Sequence, residues 1–292
     1  MFFERYTKDK DKDLQNDSWL VYILGLGTNL GARLENLRIA VNKLKTHPNI
    51  QVTQYSKIYL TKAITPENSP KSWDIDFFNM AIEITTTLQP LELLQITQCI
   101  EIEIGRAPDH EFWSPRLIDI DILACQNTVV DKPQLTIPHK LLLDRNFALG
   151  PLLEIYPEWL HPLHPRVDLQ NHLNKMPLLV SLPYRLTGTQ FMGIVNLTPE
   201  SMSGKQTLKN EQAIWDHMTH LVNQGAEIID IGAESTRPDA TPLSSEEEWS
   251  RLEPFLNQLE IWLNSPQLLI QPKISIDTYH AETVKKLMGY PI

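Results

Sequence analysis

The sequence predicts an α+β domain followed by an α/β domain. Three observations carry that expectation. From residue 19 to about 165, strand and helix patterns follow one another irregularly with short hairpin-like connections, as in α+β domains. From 188 onward the order is strictly strand, helix, strand, helix, which implies parallel strands joined by right-handed crossovers. Between them, HPLHPRVDLQNHLNKMPLLVSLPYR is rich in proline and poor in strand pattern, and the linker is placed at 176–187. The expected domains are 18–175 and 188–292, after a loose tail at 1–17.

Residues 19–26 read as a buried strand, and GTNLG follows as a turn. Asn29 stands where it can cap a helix running from about Gly31 toward Thr46. Residues 50–60 and 76–86 read as strands, the second (DFFNMAIEITT) rich in β-branched and aromatic types. TKAITPENSPKSWDI between them is a polar loop. Pro90 opens a helix at its first position, and Gly105 ends it. RAPDHEFWSP is a second long loop; the strand LIDIDILAC follows, with a hairpin partner at 127–130. DRNFALGPLLEIYP reads as a short helix. In the second half QFMGIVNLTP, AEIIDIGAEST and PKISIDT are strands, and 209–224, 245–263 and 280–288 are helices. Each strand runs into a polar loop, carrying Asn196, Glu234 to Arg237, or Asp277. The carboxyl ends of parallel strands are where α/β barrels place their chemistry.

Apolar content of 42% and charged content of 21% describe a globular chain of 292 residues. A net charge of −10 argues against a general nucleic-acid or membrane binder. It leaves room for a phosphate ligand, because a few arginines or a bound metal reverse the field locally. Cys99 and Cys125 have no zinc-ligand spacing and make no disulfide framework, which fits a reducing cytoplasm. The start lacks the apolar core of a signal peptide, and WLVYILGLG is too short to span a bilayer.

In RLIDIDIL, alternation puts Leu117, Asp119 and Asp121 on one face and Arg116, Ile118, Ile120 and Ile122 on the other. Two carboxylates about 7 Å apart on one strand face raise each other's pKa. Such a pair is most often a solvated face. Here it lies in an apolar strand, directly after an arginine and an aromatic-bearing loop. Mg²⁺ relieves the repulsion, taking one or two carboxylates and filling its other sites with phosphate oxygens and water. Two such ions can clamp the attacking and leaving oxygens of a phosphoryl transfer. Arg106, Arg116 and Arg145 can carry triphosphate charge, and His139 can donate to a phosphate. Phe77, Phe147 and Trp113 offer faces for a flat heterocycle, and Asn79 offers a donor and an acceptor to its edge. GLGTNLG lacks both the spacing and the downstream acidic residue of a dinucleotide loop.

WSPRLIDIDIL resembles the signature of 6-hydroxymethyl-7,8-dihydropterin pyrophosphokinase, and GLGTNLG, DFFNMAIEI, QCIEIEIGR, LTIPHK and DRNFALGPLLEI match in order over about 19–165. The resemblance implies a ferredoxin-like fold and transfer of pyrophosphate from ATP to a pterin hydroxymethyl group. It implies that Asp119 and Asp121 bind two Mg²⁺ ions, and that Arg116 and Trp113 come from a mobile catalytic loop. Gln98, Glu101, Arg106, Ile122, Thr136, His139 and Arg145 would surround ATP, while Thr61, Phe77, Asn79 and Phe147 would hold the pterin. The chain departs from the family at Ser114, Pro108, Lys140 and Lys62, none of which removes the carboxylate pair.

MGIVNLTPESMS, DIGAESTRPDA and ISIDT resemble dihydropteroate synthase, a TIM barrel that joins a pterin pyrophosphate to p-aminobenzoate. The resemblance implies that Asn196 meets Mg²⁺ and pyrophosphate, that Thr236 and Arg237 shape the p-aminobenzoate site, and that Asp277 bonds the pterin. A full barrel needs eight strands, and about three βα units fit between 188 and 292, so this region is expected to be truncated and too short for synthase activity by itself. The expected partners are small molecules, with no nucleic acid and no membrane; a second copy of the chain, paired through the second half, is the one protein partner the reading allows. The competing readings are a catalytically dead pterin- or nucleotide-binding or scaffold protein, and an unrelated phosphotransferase that releases ADP.

Overall fold

A computed structural model describes residues 19–107, 111–126, 128–186, 188–197, 211–234, 241–290 and 292. The chain divides into two compact units: residues up to Leu30 with Ile39–Val180, and Gly31–Arg38 with Ser181–Ile292.

The first unit is built on a mixed-length antiparallel sheet. β1 (Leu20–Thr28) is central, paired on one side with β4 (Phe77–Thr86) and on the other with β5 (Asp119–Cys125). β2 (Ile50–Tyr55) and β3 (Tyr59–Thr61) both pair with β4. The single strand expected at 50–60 is thus two strands. Ser56 is the break: its amide donates to the Ala81 carbonyl and its hydroxyl accepts from the Ala81 amide at 2.9 Å. α1 (Arg33–Thr46) follows β1. α2 (Pro90–Ile104) begins with a capping box in which the Gln89 amide donates to Glu92. It ends at Gly105, whose φ of 115° is a left-handed cap that glycine adopts without a Cβ penalty. β6 (Val130–Lys132) pairs with β7 (Leu135–Ile137) in a separate two-stranded ribbon, so the segment expected at 127–130 as a hairpin partner of β5 pairs with β7 instead. α3 (Asn146–Ile155) lies in the predicted short helix, after a single 3-10 turn at Leu142–Asp144. α4 (Leu169–Asn174), capped by the Asp168 carboxylate, and the two-residue β8 (Val180–Ser181) occupy the proline-rich stretch.

The sheet's two faces differ. Leu24, Ile82, Ile120 and Ile122 are buried on one. On the other, Ile23, Ala81 and Leu123 pack under Leu149, Leu152 and Leu153 of α3. The same face continues past the start of α3 with Gly25, Gly27, Phe77, Asn79, Asp119 and Asp121, where α3 no longer covers it. The site is this uncovered half.

In the second unit β9 (Phe191–Asn196), β10 (Ala226–Gly232) and β11 (Lys273–Asp277) are parallel, in the order β11-β10-β9, as the alternation predicts. α5 (Glu211–Asn223), α6 (Ser245–Leu263) and α7 (Ala281–Leu287) follow them in turn. Val195, Ile229 and Ile231 meet Met218, Val222, Leu252, Leu256 and Leu259 in one core, with Trp215 stacked on Phe255 at 4.3 Å.

Candidate active site

Register across the first sheet assembles the site. Gly27 of β1 faces Asp119 on one side and Asn79 on the other; two residues along, Gly25 faces Asp121 and Ala81. Partners directly opposite on an antiparallel sheet point to the same face. The carboxylates therefore look across a floor of two glycines toward Asn79. The floor is tight as well as flat. A Cβ on Gly27 would stand 2.8 Å from Asn79 Oδ1, and one on Gly25 would stand 3.1 Å from the Leu123 side chain. Any side chain at position 27 therefore displaces the Asn79 carboxamide.

The pocket over this floor is walled by Thr61, Phe77 and Asn79 on one side and by Trp113, Arg145 and Phe147 on the other, with Arg116, Asp119 and Asp121 beside them. Asn79 is 7% exposed and donates from Nδ2 to Thr61 Oγ1 at 2.7 Å, leaving Oδ1 over Gly27. Two arginines lie on the aromatic faces. The Arg116 guanidinium is 5.6 Å from the Phe77 ring, and that of Arg145 is 5.7 Å from Trp113 and 5.6 Å from Phe147. Trp113 has a φ of 72°, an uncommon conformation for a large residue.

Asp119 is held by two arginines, accepting from Arg106 at 2.8 Å and lying 3.4 Å from Arg116. Arg116 thus faces the carboxylates, contrary to simple alternation. β5 starts at Asp119, so the pleat does not extend back to residue 116. Arg106 also pairs with Glu101 at 2.7 Å, and Glu101 accepts from the Ile120 amide at 2.6 Å. Burial and the neighbouring Asp119 raise Asp121 to about 7, against the opposing pull of Arg145 and Arg116. Glu101 rises to about 7 for the same two reasons, burial first. His139 falls to about 4, mainly through burial and then the Arg145 charge, so it is neutral near pH 7. Its Nδ1 accepts from the Leu141 amide at 3.3 Å.

Of the residues singled out in the sequence, nine line this pocket. Arg106 and Glu101 form the ion-pair chain behind Asp119. Gln98 is exposed on α2, and Thr136 sits half-buried on β7. The Ile122 side chain is 3% exposed on the opposite face, so only its backbone is near the carboxylate side. Lys62 also lines the pocket, ion-paired to Asp76 at 2.9 Å. The glycine floor was not anticipated; its signal is the alternate glycines in LGLGT, two residues apart on one strand face.

In the second unit, Asn196 and Asp277 end the outer strands, and both are in register with Gly232 between them. A Cβ on Gly232 would lie 3.2 Å from Asn196 Oδ1, so the amide and carboxylate flank a glycine gap. Thr236 and Arg237 lie outside the described residues. Nearby, Glu234, Glu248 and His280 bring their ligand atoms within 4.8 Å of one another. Glu248 accepts from Thr278 and Thr283, and Glu234 from Tyr279. Among the described residues no helix is long and apolar enough to cross a membrane.

Comparison with known proteins bears directly on this geometry. Residues 23–157 match the 7,8-dihydro-6-hydroxymethylpterin-pyrophosphokinase family. Residues 192–288 match the pterin binding enzyme family. The folate synthesis bifunctional protein of Chlamydia caviae is 36% identical over 92% of this chain and 61% of its own length. The folic acid synthesis protein fol1 of Schizosaccharomyces pombe is 35% identical over 90% of this chain and 35% of its own. A mitochondrial folate synthesis bifunctional protein of Arabidopsis thaliana is 31% identical, covering 91% and 50%. The chain spans about three fifths of the chlamydial relative and less of the other two. A solved Plasmodium falciparum HPPK-DHPS chain aligns with a TM-score of 0.43 at 16% identity, covering 92% of this chain and 66% of that one.

Proposed function

We propose that the first unit is a pyrophosphokinase domain that transfers the terminal pyrophosphate of ATP to the hydroxyl of 6-hydroxymethyl-7,8-dihydropterin. The pterin oxygen bonds to the β-phosphorus, the bond from that phosphorus to the α-phosphate oxygen breaks, AMP leaves, and the hydroxyl proton is lost. The observation that carries this reading is the row Asp119–Gly27–Asn79: an anionic strand and a polar, aromatic strand facing each other across a side-chain-free gap. Phe77 and Phe147 line the pocket and offer ring faces to a flat heterocycle, and Asn79 and Thr61 offer polar atoms to its edge.

Asp119 and Asp121 are hard oxygen donors on β5, and burial opposes the charge of Asp121, a donor set that suits Mg²⁺. Two ions are proposed here; when bound, Mg²⁺ screens the phosphate charge and polarises the transferred group. Asp119 helps position the pterin hydroxyl. Arg116 and Arg145 hold negative oxygens through their planar forks, and Trp113 closes the aromatic wall. Arg106 orients Asp119. Glu101, Gln98, Thr136, His139 and the Ile122 backbone make up the ATP side, where neutral His139 is available to donate from Nε2 to a phosphate oxygen. The antiparallel sheet, with α2 and α3 packed on it, supports the ferredoxin-like description. The change of unit at Val180 supports a linker at 176–187.

For the second domain, the proposed role is pterin pyrophosphate coupling to p-aminobenzoate, with Asn196 and Asp277 at its pterin and pyrophosphate side and Thr236 and Arg237 on the p-aminobenzoate side. Among the described residues this domain has three βα units. Pairing of two copies through this domain and a reducing, cytoplasmic setting complete the proposal, the latter supported by free Cys99 and Cys125.

The test is nucleotide chromatography after incubation with ATP, Mg²⁺ and the pterin. AMP forming in step with pterin consumption supports the reading. ADP, or no pterin-dependent nucleotide from folded protein, overturns it.

A further inference from the structure

Asn29 sits immediately after β1 and is 3% exposed, and neither its placement in the sequence nor the site description gives it a role in chemistry. Its contacts are unusual for the helix cap the sequence suggests. Its Oδ1 accepts from the Arg116 amide at 2.8 Å, and its own amide donates to the Arg116 carbonyl at 3.2 Å. Its Nδ2 donates to the Ile75 carbonyl at 3.3 Å. One buried residue thus grips both the last residues before β4, which carries Phe77 and Asn79, and the residue three before Asp119 on β5.

We propose that Asn29 is a positioning residue that sets the Arg116 guanidinium against Asp119 and holds the entry to the pterin wall. This rests on the reading of the first unit as a pyrophosphate-transfer site. The physical argument is local. The Arg116 backbone is bonded through both its N–H and its C=O to Asn29, so the arginine side chain pivots from a fixed point. Its Nη1 reaches Asp119 at 3.4 Å and its guanidinium lies over Phe77 at 5.6 Å, distances that a free backbone would not maintain. The carboxamide is the side chain that meets both demands, since it accepts at one atom and donates at the other. Alanine does neither. Aspartate keeps the acceptor for Arg116 and, when ionised, loses the donor for Ile75.

The two bonds separate in kinetics and in amide exchange. Asn29→Ala in the full chain is expected to speed exchange of the Arg116 amide by about tenfold, the factor for losing one hydrogen bond of ordinary net strength. The Ile120 amide, held by Glu101 instead, keeps its protection. AMP formation by this variant should show kcat reduced about tenfold or more, with KM for ATP within about twofold of wild type. Asn29→Asp should retain Arg116 protection and most of kcat above pH 7 but raise the pterin KM. Unchanged Arg116 exchange in Asn29→Ala overturns the proposal, as does an equal loss of protection across β1, β4 and β5. If the alanine variant does not fold, loss of both Arg116 protection and kcat in folded Asn29→Asp overturns it. Wild-type AMP formation run alongside keeps the two readings apart: its absence sinks the proposed reaction, while Arg116 exchange still decides the role of Asn29.

Discussion

Asp121→Asn should make the protein more stable and abolish its turnover, and the stability gain should vanish in acid. The carboxyl of Asp121 is raised from 3.8 to about 7 by burial and by Asp119. A carboxylate whose folded pKa exceeds its unfolded one binds its proton more tightly in the native state, so native stability falls as pH rises from about 4 to 7 and the full cost is present above 7. That gap corresponds to roughly 4 kcal/mol at ~1.4 kcal/mol per pKa unit, taken as an upper figure. Asparagine is nearly isosteric and carries no charge. For a domain of about this size ~1 kcal/mol moves Tm by roughly 2–4 °C, so a realised gain near 2 kcal/mol raises Tm by about 4–8 °C at pH 8. The assay is thermal unfolding of ligand-free wild type and variant at pH 8 and pH 4.5, with AMP formation measured at pH 8. A variant that melts at or below the wild-type temperature at pH 8, or that keeps most of its turnover, refutes the reasoning.

Gly27→Ala places a methyl carbon where Asn79 Oδ1 now stands 2.8 Å away, so the carboxamide must turn from Thr61. The pterin KM should rise about tenfold while KM for ATP changes less than about twofold, as steady-state kinetics would show. Arg116→Lys keeps the charge and loses the planar fork, and a 10- to 100-fold fall in kcat, roughly, is expected with modest KM changes. His139→Gln should reduce acid sensitivity. His139 is lowered from 6.5 to about 4, so wild-type stability is lost as pH falls from about 6.5 toward 4, and the glutamine variant should lose fewer degrees of Tm over that range.

How far the sequence could be read is clearest at particular residues. The faces of β5 follow from period-2 alternation, and Asp119, Asp121, Phe77 and Asn79 were legible because each strand presents them locally. The parallel strands of the second unit were legible for the same reason, since alternation with helices is a local pattern. What joins residues across strands was not. The role of Gly25 and Gly27 depends on β1 lying between β4 and β5, a fact of register that no local pattern encodes. Asn29 has a helix behind it in the chain and so reads as a cap, yet its carboxamide is taken by Arg116 and Ile75 from distant segments. Ser56 interrupts a strand pattern through a bond to Ala81, and its β-branched neighbours gave no hint of the break. Arg116 was assigned to the wrong face because alternation was extended past the true start of β5.

The central claim is that the two carboxylates of β5 and the wall of β4 hold a triphosphate and a pterin for transfer of two phosphorus atoms together. Phosphorus NMR of the pterin product tests it most directly. A pterin ester with two mutually coupled phosphorus signals, appearing with AMP and absent in Asp121→Asn, is the expected result. A single phosphorus on the pterin, or none, would contradict it.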